Sequence, residues 1–181
     1  MLILLKDTDK AFLENEIKLR GVFMFKKSTN AGMDENEFWN IVNMFQWKHA
    51  GYDEKILKKA IKYLSAKSNE DINEFEDILS KLLYDLDGKI YAENIGEDSY
   101  VDGDTYFSPD EFLYARCVVV ANGKDYYYEV LNDPNSMPKD MEFEAILYVA
   151  SEAFEMKNDA EYEYSPKFDY ETYSNESKWG N

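Results

Sequence analysis

Acidic side chains that could do chemistry are concentrated in one stretch of the chain. Between Asp85 and Glu111 the sequence holds nine acidic residues and a single lysine. Carboxylates in such a loop could bind a hard cation such as calcium, or act as a general acid and base. Their irregular spacing is also typical of an exposed, solvated loop. The candidate site residues in this loop are Asp98, Asp102, Asp104, Asp110 and Glu111.

Arg116 is the most informative charged residue, because it lies within an apolar segment directly after the acidic loop. Phe112, Val119 and Val120 surround it in sequence, so part of its side chain must pass over the core. A buried guanidinium needs an anionic or carbonyl partner. We therefore expect a structural clamp between Arg116 and a carboxylate of the 98–111 loop. A surface arginine and an anion-binding residue are the alternatives.

Other standard chemistries find little support in the sequence. The single cysteine, Cys117, lies in the apolar segment and is most simply a small core residue. With one cysteine and one histidine, His49, the chain has no zinc site built on those ligands. The segment Asp85–Ile90 resembles the middle of a calcium loop, but Leu83 and Asn94 occupy its end positions, where oxygen ligands of the usual kind are missing. The sequence therefore assigns no catalytic residue, cofactor or metal site.

Composition limits the compartment and the partners. The chain has 181 residues and a net charge of −17 at pH 7, so nucleic acids and anionic membranes should be repelled. A lone cysteine fits a reducing compartment, and the apolar run at residues 1–5 is far shorter than a membrane span. We expect a cytoplasmic protein. The acidity indicates either solubility alone or a basic protein partner.

Helix-start signals and apolar periodicity predict a mainly α protein with a single domain of about six helices. Ser108–Glu111 combines a cap, a proline in the first turn and a reciprocal glutamate. Similar starts occur at Asp34, at Asp53 and at Ser68 or Asn69, each followed by apolar residues three and four positions apart. Asp140 is expected to open the last long helix.

Three consecutive tyrosines, Tyr126, Tyr127 and Tyr128, lie in a short helix expected between Asp125 and Leu131. Tyrosine often packs its ring while its hydroxyl stays hydrated, and aromatic residues supply many binding hot spots. We expect these tyrosines to form a contact surface together with the acidic loop.

The chain divides into three parts by composition. Residues 1–32 form an N-terminal extension with expected short strands, and residues 33–157 form the helical domain. Residues 158–181 are acidic and rich in tyrosine, without helical periodicity. We expect this segment to be a tail that lies over the domain or stays mobile, and its aromatic residues indicate that part of it packs.

Several short motifs follow one another in a distinctive order along the central part of the chain. They are Met33-Asp-Glu-Asn-Glu-Phe-Trp39, Phe112-x-x-x-Arg116, Val120-Ala-Asn-Gly-Lys124, Tyr127-x-x-Val-Leu131, Asp133-Pro134 and Glu144-x-x-Leu-Tyr-Val-Ala150. In order and spacing this set resembles the bacterial domain-of-unknown-function family DUF4240 over about residues 33–156. The resemblance implies a helical fold and no established activity. Members usually carry a tryptophan-rich helix near Ile90–Ile95, a segment that has no tryptophan here.

Two classes of function remain open. The first is a non-enzymatic cytoplasmic module that binds another protein through its acidic loop and tyrosines, in one form by neutralising a basic partner such as a nuclease. The alternative is an enzyme or small-ligand binder that uses the carboxylates of the 98–111 loop with Arg116. A concave pocket holding these groups, with raised carboxylate pKa values, would favour the alternative. A convex acidic face would favour the binding module.

Overall fold

The protein is mainly α-helical over the residues that this computed structural model describes, 32–102 and 107–180. Eight α-helices and no β-strand occur in those ranges. The helices are α1 (Glu35–Val42), α2 (Asp53–Leu64), α3 (Asn69–Asp85), α4 (Lys89–Ala92), α5 (Pro109–Ala121), α6 (Lys124–Asn132), α7 (Val149–Asn158) and α8 (Glu176–Trp179). Six of them have eight or more residues, in agreement with the predicted helical domain. The strands expected near the N-terminus fall in residues 1–31, outside the described part.

The main helix starts are made by the residues that the sequence indicated. Ser68 and Asp71 form a reciprocal capping box at the start of α3. Ser108 Oγ accepts the Glu111 N–H at the start of α5, at 3.3 Å, and Asp34 caps α1 in the same way. Each cap satisfies a backbone amide that has no partner inside its helix, which is worth about 1 kcal/mol.

The last long helix begins later than the sequence predicted. Asp140 has a positive φ of 54°, and its backbone N–H donates to Ile95 O at 2.8 Å. Its carboxylate accepts the Glu97 N–H at 2.7 Å. These contacts hold the segment in a turn against the acidic loop. A 3₁₀ helix therefore follows at Glu144–Tyr148, and α7 begins only at Val149.

The core is built around α3 and α5, which pack against each other. Nine of the thirteen residues of α5 are buried, because α3, α6 and the C-terminal segment cover different sides of it. The Phe38 and Phe75 rings, 4.8 Å apart, join α1 to α3, and α7 packs on both α2 and α3. None of the described helices is long and apolar enough to cross a membrane.

Residues 159–180, called the strap below, run along α3. Between positions 161 and 172 exposed and half-buried residues alternate, as in an extended chain with one side toward the solvent. The half-buried side consists of Tyr162, Tyr164, Pro166, Phe168, Tyr170 and Thr172. Contacts begin where the Tyr162 hydroxyl donates to Asn73, at 3.2 Å, and end past the helix at Asp87. The acidic, tyrosine-rich segment thus packs over the domain.

Candidate functional site

Arg116 is fully buried, as expected, but its partners differ from the predicted ones. Its Nη1 donates to Leu83 O and to Tyr170 O at 3.0 Å each, and its Nη2 donates to Thr172 Oγ1 at 2.9 Å. Two of these acceptors belong to the strap. Within the described ranges, the predicted pairing with a carboxylate of the 98–111 loop does not occur. Instead, the guanidinium ties the strap to α3.

The surroundings of Arg116 make it structural and leave it unavailable to a ligand. Its guanidinium lies 4.7 Å from the centre of the Phe112 ring, a cation–π contact. Burial lowers its pKa to about 10, and the negative charge of Asp87 acts in the opposite direction. Its Nε has no partner in the described part of the chain, and no part of the residue is exposed. A dissolved anion therefore has no access to it.

Asp87 is a second buried charge that holds the strap. Its carboxylate accepts the backbone N–H groups of Tyr173 and Asn175 at 3.2 and 2.8 Å, and the Trp179 Nε1–H at 2.9 Å. The Ser174 hydroxyl adds a longer contact at 3.3 Å. Because Asp87 is fully buried, these donors replace the water that the carboxylate loses on folding.

The acidic loop forms one wall of a small cleft, called the acidic cleft below. It is lined by Ile95, Asp98, Glu111, Ala115, Asp140, Met141 and Glu142, and its volume is about 30 Å³. Burial raises the pKa of Glu111, and the charges of Asp98 and Glu142 raise it further. Among the described residues, Glu111 Oε2 has no hydrogen-bond partner. The cleft thus joins two predicted loop acids to Asp140 and Glu142, which the sequence did not indicate.

The remaining predicted acids are dispersed. Asp102 is exposed, and a hydrogen bond from Lys89 at 2.5 Å lowers its pKa. Asp110 is exposed in the first turn of α5, where a negative charge is favoured by the helix dipole. Asp104 lies outside the described residues. Within residues 32–102 and 107–180, no group of three or more acidic, histidine and cysteine side chains is placed to hold a metal ion.

Tyr126, Tyr127 and Tyr128 occupy three different environments. Tyr127 is buried and donates to Leu82 O at 3.2 Å, and burial raises its pKa. Tyr126 is half-buried and donates to a backbone carbonyl at 2.8 Å. Only Tyr128 is exposed, and its hydroxyl donates to Glu35 at 2.9 Å. Consecutive helix residues point about 100° apart, so three in a row do not share one surface, and Tyr128 alone remains available for a contact.

A second cleft, which the sequence did not indicate, lies between α1 and the corner that joins α5 to α6. Its volume is about 370 Å³, and its lining consists of Asn36, Trp39, Asn40, Asn43, Asn122, Gly123, Lys124 and Asp125. Spacing alone puts Asn36 and Asn40 on one side of α1, with Asn43 just past its end, but only folding brings Lys124 to them. Amide and ammonium groups of this kind can bind a polar ligand. In the described part of the chain, no buried polar atom without a partner belongs to this lining.

Cys117 is a core residue, as the sequence indicated. It is fully buried, and burial raises the pKa of its thiol to about 12. The thiolate is the reactive form of cysteine. Cys117 is therefore a protonated, inaccessible thiol at neutral pH and a poor candidate for a nucleophile.

Comparison with known families supports the order of motifs read from the sequence. Residues 33–156 match the family described as protein of unknown function, DUF4240. No curated protein and no solved structure matches the chain. The matched segment includes both clefts and Arg116, and it ends before the strap begins. Because the match spans more than half of the chain, the protein belongs to the DUF4240 family.

Proposed function

We propose that this protein is a non-enzymatic module of the bacterial cytoplasm that binds a basic protein through an acidic face. The acidic face consists of the acidic cleft and the carboxylates that border it. Its members are Asp98, Asp110, Glu111, Asp140, Glu142 and Glu144. Glu144 and Asp110, two of the bordering residues, both lie near Tyr114. Burial raises the pKa of Tyr114, and the charges of Glu144 and Asp110 raise it further.

The observation that carries the proposal is the lack of ion pairs among the described carboxylates of this face. None of its six carboxylates takes part in an ion pair within the described ranges. Other acids of the chain are paired, as in Asp77 with Lys167 and Asp102 with Lys89. Unpaired charges of one sign create a field that attracts a partner of the opposite sign and speeds encounter.

Exposed apolar side chains beside these carboxylates supply contact area. Met141, which lines the cleft, is 56% exposed, and Tyr148 is 49% exposed. The Tyr148 hydroxyl donates to Glu144, which orients the ring next to the negative charge. Methionine and tyrosine are enriched at protein interfaces, where they often carry much of the binding energy. An acidic rim around such residues suits a partner with a mixed basic and apolar surface.

The enzyme or small-ligand alternative is supported less well by the geometry. Arg116, which it requires, is buried under the strap and does not line the acidic cleft. The cleft volume of about 30 Å³ is far below the roughly 300 Å³ at which small-molecule sites usually begin. The raised pKa of Glu111 is the one observation in its favour.

Cross-linking in a cytoplasmic extract of the native host tests the proposal. The wild-type protein is compared with Glu111→Gln/Glu142→Gln, which removes two charges from the acidic face. Glu155→Gln/Glu161→Gln is the matched control, since it removes two charges from exposed positions elsewhere. We expect a basic protein to be captured by the wild type and the control, to be lost with the face variant, and to bind more weakly as salt is raised.

Two outcomes would count against the binding module. Equal capture by all three proteins would show that the acidic face is not the contact surface. Failure to capture any basic protein, with a spermidine-induced rise in melting temperature that Glu111→Gln/Glu142→Gln abolishes, would favour the small-ligand alternative.

A further inference from the structure

Glu76 is a buried carboxyl group on the strap side of α3. Only 6% of the residue is exposed, and its Oε2 has no hydrogen-bond partner among the described residues. Burial raises its pKa to about 7, and the charge of the neighbouring Asp77 contributes to the rise. A negative charge at this position has little access to water and, among the described residues, no donor, so it is unfavourable.

The strap is held at the residue next to Glu76. The Asp77 carboxylate accepts the Tyr164 hydroxyl and the Lys167 backbone N–H, each at 3.0 Å. The Lys167 ammonium lies 2.6 Å from the same carboxylate. One carboxylate of this pair therefore anchors the strap, while the other lies without a donor beside the anchor.

The titratable groups that face Glu76 come from its own helix and from the strap. Asp77 is the charged neighbour on α3. On the strap, burial raises the pKa values of Tyr162, Tyr164 and Tyr170, and the charge of Glu76 raises each of them further. These phenols are neutral at pH 7. Within the described part of the chain, no cation contributes to the pKa of Glu76.

The other elements packed against α3 meet this region through different groups. From α5, Arg116 donates to the backbone carbonyl of Tyr170, and Cys117 contributes to the raised pKa of the Tyr170 phenol. From α7, the Phe154 ring packs on the Tyr162 ring with centroids 5.1 Å apart. From α1, the contact with α3 is between apolar rings. Glu76 is thus the group of this region whose charge changes near neutral pH.

We propose that the strap is a pH-gated latch, which is held more firmly on α3 while the Glu76 carboxyl is protonated and opens more often as that carboxyl ionises. In the docked state an ionised Glu76 is an unpaired charge beside Asp77, whereas in the detached state water hydrates it. Detachment also withdraws Trp179 from Tyr100 and Phe107, whose ring centroids lie 5.6 and 6.2 Å away at the base of the acidic loop. The latch is independent of the proposed binding function.

Proton linkage sets the size of the effect. An exposed glutamate has a pKa of 4.5, against about 7 for docked Glu76. Raising the pH from 6 to 8 should therefore lower the equilibrium constant for docking about tenfold. Above about pH 8 the constant should level off, because Glu76 is then ionised in both states.

Hydrogen exchange measured by mass spectrometry at pH 6 and pH 8 tests the latch in the full-length protein. After correction for the intrinsic pH dependence of amide exchange, wild-type peptides from 159–180 should open about tenfold more at pH 8. Glu76→Gln, which is neutral at both pH values, should open equally at both. Glu70→Gln is the matched control on an exposed position of α3 and should behave like the wild type. Peptides from α2 should not respond.

A wild-type strap with the same corrected exchange at both pH values would overturn the latch, and so would an unchanged pH dependence in Glu76→Gln. A carbon-13 NMR titration of the wild-type carboxyl groups gives a second test if the variant does not fold. A Glu76 midpoint near pH 7, shared by the Lys167 amide signal, supports the latch. A midpoint near 4.5, or a Lys167 signal that does not follow it, overturns it.

Discussion

The strap side and the acidic face both carry carboxylates removed at least in part from water, yet their partners differ. Asp87 accepts four hydrogen bonds from strap residues, and Asp77 accepts bonds from two further positions of the strap. Glu111 on the acidic face has a buried oxygen without a partner in the described part of the chain. The donors that folding brings to a carboxylate, and not its residue type, decide whether it is anchored within the fold.

Glu76 lies between these two classes. It shares burial and location with the strap anchors, and it shares the lack of a donor with Glu111. Its pKa accordingly rises to about 7, because burial disfavours the charge and no hydrogen bond restores it. The comparison therefore predicts three different responses to mutation, from anchors, from Glu76 and from the acidic face.

Removal of the Asp87 carboxylate should have the largest effect. In Asp87→Ala the strap donors, among them the N–H of Asn175 and the Nε1–H of Trp179, lose a buried acceptor. We expect the free energy of unfolding to fall by about 4 kcal/mol, measured by denaturant titration. Asp98→Ala is the matched control on the acidic face and should change it by less than about 0.5 kcal/mol. Similar values for the two variants would remove the distinction between the regions.

Removal of the Arg116 guanidinium should be nearly as costly. Arg116→Ala removes the bonds to Leu83 O, Tyr170 O and the Thr172 hydroxyl and opens a cavity, so we expect a loss of about 3 kcal/mol. Arg116→Lys should recover only part of this, because an ammonium lacks the planar fork. Denaturant midpoints of both variants measure the effect. A value within about 0.5 kcal/mol of wild type for Arg116→Ala would show that the tether is not structural.

Neutralisation of Glu76 should stabilise the protein, whereas removal of an anchor should destabilise it. The folded pKa of about 7 exceeds the 4.5 of an exposed glutamate, so wild-type stability falls as the pH rises from 4.5 through 7. Glu76→Gln does not undergo this loss. We expect a gain of roughly 3 kcal/mol at pH 8 and little difference near pH 4.5, seen in denaturant titrations at the two pH values. Destabilisation at pH 8 would mean that the ionised group has a favourable partner.

Neutralisation of Glu111 should have the smallest effect on stability. Its side chain has no donor in the described ranges and lies near Asp98 and Glu142, so Glu111→Gln removes repulsion and breaks no bond. We expect a change of at most about 0.5 kcal/mol, in the stabilising direction, at pH 7. Thermal unfolding followed by circular dichroism is sufficient. A loss of more than about 1 kcal/mol would place Glu111 among the structural anchors.

Local features of the sequence predicted most of the helical framework. The caps at Asp34, Ser68 and Ser108 are correct because each depends on residues three positions apart. The predicted start at Asp140 is wrong, because contacts with Ile95 and Glu97 hold that segment in a turn. Tertiary contacts override local helix propensity where the two favour different structures.

The candidate site was only partly predictable. Apolar neighbours correctly indicated that Arg116 is buried, and the acidic loop does border a cleft. Residue type does not say which side of a helix each ring faces, and of the three consecutive tyrosines only Tyr128 is exposed. The contact surface expected from them stays a prediction. The alternation of polar and aromatic residues from 161 to 172 is typical of an extended segment, but it does not indicate which helix the segment covers.

The sequence by itself determined the helical class, most of the helix starts, the burial of Arg116 and the family, since these depend on spacing within a few turns or on ordered motifs. The tertiary structure alone decided which acids hold the strap, which form the acidic face, and that Glu76 has no donor among the described residues. The contacts of Arg116 and Asp87 with the strap join residues 54 to 92 positions apart. Such contacts depend on how the whole chain packs, so they cannot be predicted from residue spacing.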